Sequence, residues 1–517
     1  MILLLLAIVV QSLIYVKVGF DKSYIHMDEA YSLGLASYDK VEIQDNDDFY
    51  DTWHSGEYYE DYLAVNDDEA GDFAPVYNNQ RNDVHPPLYY LLLRIVMSAS
   101  PNHFSKWGGI AINIVIYAFI TIFAYFISLK LMGGKEKDKT RAVLLAFVSS
   151  ITLGALTSVI YIRMYALATL NIMMITYCTM KLYEKFNWRN LVLVGIVALV
   201  GSLTHYFFLF YLAMLFVIMV VHYARKKNWK QIAEYIATLA VAGAVSLAIF
   251  PYSVQHMFFG YRGDGVISKL INFANFPEYF ANIGKYLSII QVYVFNSMLV
   301  ILTVLIIGIY IYRWIKGVKS RPALGPYFKL LCLPTLFYTL LVAVSTPWIE
   351  LRYVMPVCAT LFIMVFYWLW RLCESVVSMK VSGIALCGIL AITAVLPIFI
   401  GPEPQVAYTD KREIVQQVQG ELNVPTVFWF NSNENRFLDD ILLFSLLDES
   451  YVAKDASLDA ETIQGILEGR DLSDGILVFI NSGQQNDDVL KAFVDSTELD
   501  SATHLKRMNA CDIYYLK

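Results

Sequence analysis

The sequence predicts a polytopic α-helical membrane protein, with a large polar loop after the first span and a small α/β domain at its carboxyl end. Three observations carry this. Of 517 residues, 57% are hydrophobic and only 16% are charged, and the apolar residues fall in runs long enough to cross about 30 Å of hydrocarbon. Short basic clusters punctuate these runs at 130–141, 181–189, 225–230, 313–321 and 371–380. From residue 403 onward the apolar runs shorten and alternate between strand-like and helix-like patterns, as a packed soluble domain requires.

The first apolar run, 1–16, lacks a basic leading region and a small-residue cleavage site. It is expected to stay as a first span rather than to leave as a signal peptide. The loop that follows, about 20–85, contains an acidic stretch from 39 to 72 in which Lys40 is the sole lysine or arginine. Tyr50, Trp53, Tyr58, Tyr59, Tyr62 and Phe73 interrupt the acids, so the loop does not read as a disordered acidic tail. Without EF-hand spacing it reads as a solvated covering loop, not a calcium site.

Short loops rich in Lys and Arg stay on the cytoplasmic side, so each interval between basic clusters must cross an even number of times. As a single helix, 191–221 would span about 46 Å, too long for one crossing. It is therefore expected to turn at Thr204-His205-Tyr206. The same argument breaks 143–180 near 158–163 and 330–370 near 346–352, and places a longer loop at about 256–286 between 232 and 312. With a second span ending at Met132 and a last one at 381–400, the chain is expected to cross about 11 times, amino terminus inside and carboxyl terminus outside.

This threading gathers the unusual polar residues on one face: Asp28, Glu29, His85, Arg163, His205, His256, Arg262, Asp264, Glu350 and Arg352. Ionisable groups near membrane depth are costly unless they pair or line a cavity, so such a cluster is a candidate functional site. The six cysteines are scattered without metal-type spacing and read as small core residues. Neither the charge balance, −7 overall, nor its distribution resembles a nucleic-acid footprint.

The carboxyl domain, 403–517, offers helix-like pieces at 411–421, 435–446, 459–467 and 487–494, and strand-like runs at 426–430, 475–480 and 513–516. It contains no glycine-rich phosphate loop, which argues against nucleotide binding.

Two polar strings flank the first loop. His26-Met27-Asp28-Glu29-Ala30-Tyr31 follows the first span, and a carboxylate partly withdrawn from water there is a stronger base, suited to taking a proton from an acceptor hydroxyl. Asp28 is the candidate base. His85-Pro86-Pro87-Leu88-Tyr89-Tyr90 opens a helix whose first turn tolerates the prolines, and His85 is placed to meet an anionic headgroup.

These strings, together with Arg163-Met164-Tyr165-Ala166-Leu167, Thr204-His205-Tyr206 and Arg352-Tyr353-Val354-Met355-Pro356, occur in an order that resembles the GT-C glycosyltransferases of the protein-mannosyltransferase and aminoarabinose-transferase type. The likeness covers roughly residues 1 to 400. It implies a GT-C fold and transfer of a sugar from a polyprenyl-phosphate donor to an acceptor on the extracytoplasmic side, with inversion. It makes Asp28 the catalytic carboxylate with Glu29 beside it, and puts His85, Arg163, Arg352 and Tyr353 near the donor phosphate. No acidic residue lies in 158–162, where many relatives carry one.

The chemistry agrees with that assignment. A polyprenyl phosphate is already a competent leaving group, so a base and positive charge suffice. Arg352, Arg163 and Arg262 supply paired donors that strengthen in a dry site, and Tyr31, Tyr89, Tyr165 and His205 are expected to line the substrate pocket. No cofactor or metal is required by the scheme. The expected partners are the lipid-linked donor, membrane lipid, and a glycan, lipid or protein acceptor; the expected location is a prokaryotic plasma membrane. A transporter or flippase of lipid-linked glycan is the alternative, but it calls for polar residues from face to face, whereas the span interiors here are nearly charge-free.

Overall fold

The computed structural model describes residues 1–259, 265–266, 268–269, 276–319, 322–420, 422–430, 437–481, 486–508 and 511–517. The chain divides into two compact units. The first comprises Met1–Val18, Val84–Tyr89 and Ile110–Pro404, the second Gly19–Asp83, Tyr90–Gly109 and Gln405–Lys517. The carboxyl division falls at 404/405. The first loop, however, groups with the carboxyl residues rather than with the spans, and the reason is a strand described below.

The first unit is a helical bundle. Among the described residues, six helices are long and apolar enough to cross a membrane: Ile2–Asp21 (α1), Lys106–Met132, Phe208–Arg225, Trp229–Ile249, Phe328–Ser345 and Met355–Glu374. A seventh crossing follows if Glu136–Ser150 and Leu153–Ile160, bent by 58° at their junction, form one broken span. Trp188–Ser202, Leu299–Ile315 and Lys380–Ala394 are shorter apolar helices. The expected total of about 11 crossings thus counts helices that length and composition alone do not qualify as spans. The breaks fall where bilayer thickness demands them: Ile160 ends one helix and Tyr165 begins the next, Ser202 is followed by Phe208, and Ser345 by single 3₁₀ turns at Leu351–Tyr353 and Met355–Val357.

Without water inside a bilayer, polar side chains must satisfy one another, and they serve to join helices. Thr121 donates to Gln11 Oε1 at 2.7 Å and lies 2.8 Å from Ser150 Oγ. The Asn113 amide reaches the carbonyls of Val159 at 3.1 Å and Tyr161 at 2.9 Å, the places where the helix ending at Ile160 has left its carbonyls without helical partners. Asn296 works similarly, accepting from Leu153 N–H at 2.9 Å and donating to Thr393 O at 2.9 Å.

The second unit is built on a six-stranded sheet. Its strands are β1 (Trp53–Ser55), β2 (Thr426–Phe430), β3 (Glu449–Lys454), β4 (Ile476–Asn481), β5 (Ala502–Arg507) and β6 (Cys511–Leu516), in spatial order β1-β3-β2-β4-β6-β5. The β3-β2-β4 core is parallel and the outer pairs are antiparallel. β2 and β4 are buried along their whole length, which is why both read as unbroken apolar runs. One face packs Val427, Trp429, Val478 and Ile480 against Ile463, Ile466, Val489 and Phe493 from the helices Ala460–Leu467 and Asn486–Ser496. On the other, Phe428, Phe437, Phe444, Phe479 and Tyr59 form edge and tilted aromatic pairs 5.1–5.6 Å apart.

β1 comes from the first loop and pairs with β3 in the register Trp53↔Tyr451. The Trp53 indole donates to Ile466 O at 2.9 Å, and the Arg470 guanidinium lies 4.4 Å from its ring. This edge strand is what draws the acidic loop into the second unit. Of the expected helix at 435–446, positions 435 and 436 lie outside the described residues, and the rest holds a 3₁₀ turn, Phe437–Asp439, and one short helix, Ile441–Phe444.

Candidate functional site

In the second unit, the helix Met27–Ser37 (α2) carries the two carboxylates. His26 is its N-cap: the ring Nδ1 accepts the Asp28 N–H at 3.0 Å, and Glu29 reaches back to accept the His26 N–H at 2.8 Å. This is a capping box with histidine in the hydroxyl's place. The same Glu29 oxygen takes the Lys22 ammonium at 2.9 Å, and both side chains are wholly buried, at 0% exposure. Burial pulls the Lys22 ammonium below its ordinary value while Glu29 opposes that pull. Glu29 is therefore committed to structure on both counts.

Asp28 differs. Its side chain keeps 12% exposure and stands 3.8 Å from His26 Nδ1. The carboxylate sits in the first turn, where the helix amino end favours negative charge.

The other end of α2 is equally fixed. The buried Arg94 guanidinium donates to Ala36 O at 3.0 Å and Ser37 O at 2.9 Å, and pairs with Glu69 at 3.4 Å, satisfying carbonyls that the helix end leaves bare and complementing its negative pole. In the middle, Gly34 lets the Tyr62 ring lie against the backbone: a Cβ there would stand 2.0 Å from Tyr62 Cζ. Tyr31, expected to line a substrate pocket, donates its hydroxyl to Glu42 Oε1 at 2.7 Å.

In the first unit, aromatic rings link most of the remaining candidates. His85 and His205 are both nearly buried, with ring centroids 6.1 Å apart, and Tyr165 lies 5.7 Å from His205. His205 is 5.2 Å from Phe207, and Phe207 is 6.0 Å from Tyr353. Local structure puts them there. The Leu88 N–H donates to Leu203 O at 3.1 Å, which joins the Pro86-Pro87 turn to the end of the Trp188–Ser202 helix. Asn171 donates to Thr204 Oγ1 at 2.9 Å, and His205 Nδ1 accepts the Phe207 N–H at 3.1 Å, closing the turn.

Arg352 lies between Trp348 and Tyr353, its guanidinium carbon 5.9 and 5.3 Å from their ring centroids, and it pairs with Glu350 at 2.7 Å. Burial lowers its ordinary value, and Tyr353 works against that shift. Tyr353 is held by Tyr338, whose hydroxyl donates to its carbonyl at 2.9 Å. Arg163 is nearly buried, at 4% exposure, on a tight turn in which its N–H meets Tyr161 O at 2.7 Å. Tyr89 is fully buried. Arg262 and Asp264 lie outside the described residues.

The predicted residues thus fall into two sets: Asp28, Glu29 and Tyr31 in one unit, and His85, Tyr89, Arg163, Tyr165, His205, Arg352 and Tyr353 in the other. The second set brings His85 and His205 among aromatic rings and holds Arg352 between Trp348 and Tyr353, groups whose chemistry suits an anionic headgroup. Sequence reasoning missed Lys22, Arg94, Trp348 and Lys269, whose ammonium donates to Thr346 O at 2.8 Å. Arg94 carried a signal, a lone charge inside an apolar helix; Lys22 carried only its position at the end of a span. Among the described residues, no three His, Cys, Asp or Glu side chains stand close enough together to hold a metal ion.

The chain matches no protein-family model and no curated protein. Among solved structures it is similar to ArnT from Cupriavidus metallidurans bound to undecaprenyl phosphate, with a TM-score of 0.52 at 9% identity over 99% of this chain and 97% of that one. The apo-state structure of ArnT gives 0.47 at the same identity and coverage. At that identity the likeness is one of architecture, and this chain has the GT-C fold of ArnT.

Proposed function

We propose that this protein is a membrane glycosyltransferase that moves a sugar from a polyprenyl-phosphate donor to an acceptor hydroxyl on the extracytoplasmic face, with inversion. The observation that carries the reading is the placement of the two carboxylates on α2: Glu29 pairs with Lys22 and closes the helix cap, and Asp28 stands beside it in the first turn, nearly buried at 12% side-chain exposure and 3.8 Å from His26 Nδ1. In the reaction Asp28 removes the acceptor proton as the acceptor oxygen bonds to the anomeric carbon. The bond from that carbon to the phosphate oxygen breaks, and its electron pair leaves with the lipid phosphate. Arg352 and Arg163, with His85, bind the phosphate and stabilise its growing charge; such charge-assisted bonds contribute about 1.5–3 kcal/mol each. Tyr89, Tyr165, His205 and Tyr353 shape the donor pocket.

The fold shared with ArnT, a protein crystallised with undecaprenyl phosphate, supports a ligand of that class. The basic clusters support about 11 crossings, amino terminus inside and the 403–517 domain outside, and the proposal places them in a prokaryotic plasma membrane. The test is release of sugar from radiolabelled polyprenyl-phosphate monosaccharides by the full chain in lipid vesicles. Transfer or hydrolysis of at least one donor is expected. A folded protein that neither binds nor turns over any of them overturns the reading.

A further inference from the structure

Residues 405–412 are fastened to the stretch just ahead of α2. The Ser23 N–H donates to Ala407 O at 2.8 Å, Arg412 donates to Ser23 Oγ at 3.1 Å and to Asp21 O at 2.9 Å, and the Lys22 ammonium donates to Val406 O at 2.7 Å. Val406 and Tyr408 are both left-handed, with φ of 64° and 52°. For a β-branched residue that conformation is a genuine outlier, and it persists only where the surroundings over-determine it. Here the Val406 carbonyl meets a buried ammonium. The Tyr408 ring packs edge-on to Tyr24 at 6.1 Å, with the Lys22 and Lys411 ammonium groups 6.0 and 4.4 Å from its centroid.

One ammonium is therefore shared between a strained carbonyl of the carboxyl segment and the carboxylate that caps α2. A capping box needs no lysine, and a buried ion pair is weak evidence for stability, because desolvation consumes most of its attraction. What this arrangement does supply is direction. Lys22 Nζ fixes where Glu29 lies, Glu29 fixes the His26 N–H, and His26 Nδ1 fixes the Asp28 N–H.

We infer that Lys22 is a positioning residue that fastens the amino end of α2, and with it Asp28, to the 405–412 segment. The carboxyl part of the chain thereby sets the orientation of Asp28. This rests on the proposed role of Asp28 as base, and it assigns to the carboxyl residues a part in the reaction. Misplacing a catalytic group by about 1 Å costs up to about 100-fold in rate.

The test compares the full chain with Lys22→Met in lipid vesicles, by steady-state transfer and by hydrogen exchange of peptides covering 27–37. The expected result is a 10- to 100-fold lower kcat, a donor KM within twofold of wild type, and exchange in 27–37 at least tenfold faster while 486–496 stays protected. The double variant Lys22→Met/Glu29→Gln leaves no uncompensated buried charge, so it holds its fold if the single variant does not; its kcat is expected to stay low. Recovery of wild-type kcat in the double variant would mean that Lys22 only neutralises Glu29, and overturns the inference. Unchanged exchange in 27–37 overturns it as well. If wild type transfers no sugar while the variant still loosens 27–37, the fastening stands and the transferase reading fails.

Discussion

The two units differ in what surrounds their buried polar groups. In the second, each buried charge beside α2 has a named polar partner: Lys22 with Glu29 and Val406 O, Arg94 with two helix carbonyls and Glu69. In the first, polar partners are joined by aromatic ones: Arg352 pairs with Glu350 and lies between two rings, and the imidazoles stand among rings at 5–6 Å. The difference teaches which part is built to hold still and which to receive. A helix capped at both ends and packed through a glycine has one position. Rings and long cationic side chains, on the function proposed above, would take a headgroup whose exact shape the fold does not dictate.

The contrast predicts different responses to damage. The largest structural effect is expected from Gly34→Ala, whose methyl meets Tyr62 Cζ at 2.0 Å. Overpacking of that kind costs about 1–3 kcal/mol or more, and thermal unfolding of the purified protein is expected to move down by several degrees. Arg352→Gln belongs to the other kind of site. It is expected to weaken binding of polyprenyl phosphate by roughly 10- to 100-fold, the loss of one charge-assisted contact, with the unfolding temperature almost unchanged. A fall in unfolding temperature as large as that of Gly34→Ala would erase the distinction.

A smaller and pH-dependent effect is expected in the sheet unit. Asp440 is fully buried, accepts from the Cys511 thiol at 3.0 Å and the Tyr24 hydroxyl at 3.4 Å, and burial pushes its carboxyl up to about 7. Neighbouring Asp439 adds to the rise and Lys411 opposes it. The folded state thus holds a proton that the unfolded chain, with an ordinary carboxyl near 4, releases earlier. The stabilisation is complete below pH 4 and is lost as pH rises through about 7. Unfolding of wild type followed from pH 5 to pH 8 is expected to show falling stability, with a flatter profile for Asp440→Asn. The smallest effect is expected from Trp53→Phe, which removes the indole bond to Ile466 O at a cost of about 1 kcal/mol and is read as faster hydrogen exchange in β1 alone.

Much of the helical architecture was legible because bilayer thickness limits helix length. That rule placed breaks at Thr204-His205-Tyr206 and ahead of Tyr165, where the helices do end. β2 and β4 were legible as apolar runs buried on both faces. β1 was not: three residues of an acidic loop become a strand only because β3, almost 400 positions away, offers an edge, and no local pattern encodes that. The same blindness hid Lys22, whose partner Val406 is 384 residues distant. The structural part played by Glu29, expected beside the catalytic Asp28, was hidden as well: its spacing from His26 is that of a capping box, but a histidine cap is uncommon enough to be overlooked.

The most direct test of the central claim is sugar transfer by Asp28→Asn beside wild type, with donor binding measured in the same vesicles. Substituting a catalytic base is expected to cost 10²-fold or more in kcat while donor affinity stays within a few-fold. An Asp28→Asn protein that transfers sugar at the wild-type rate would contradict the account.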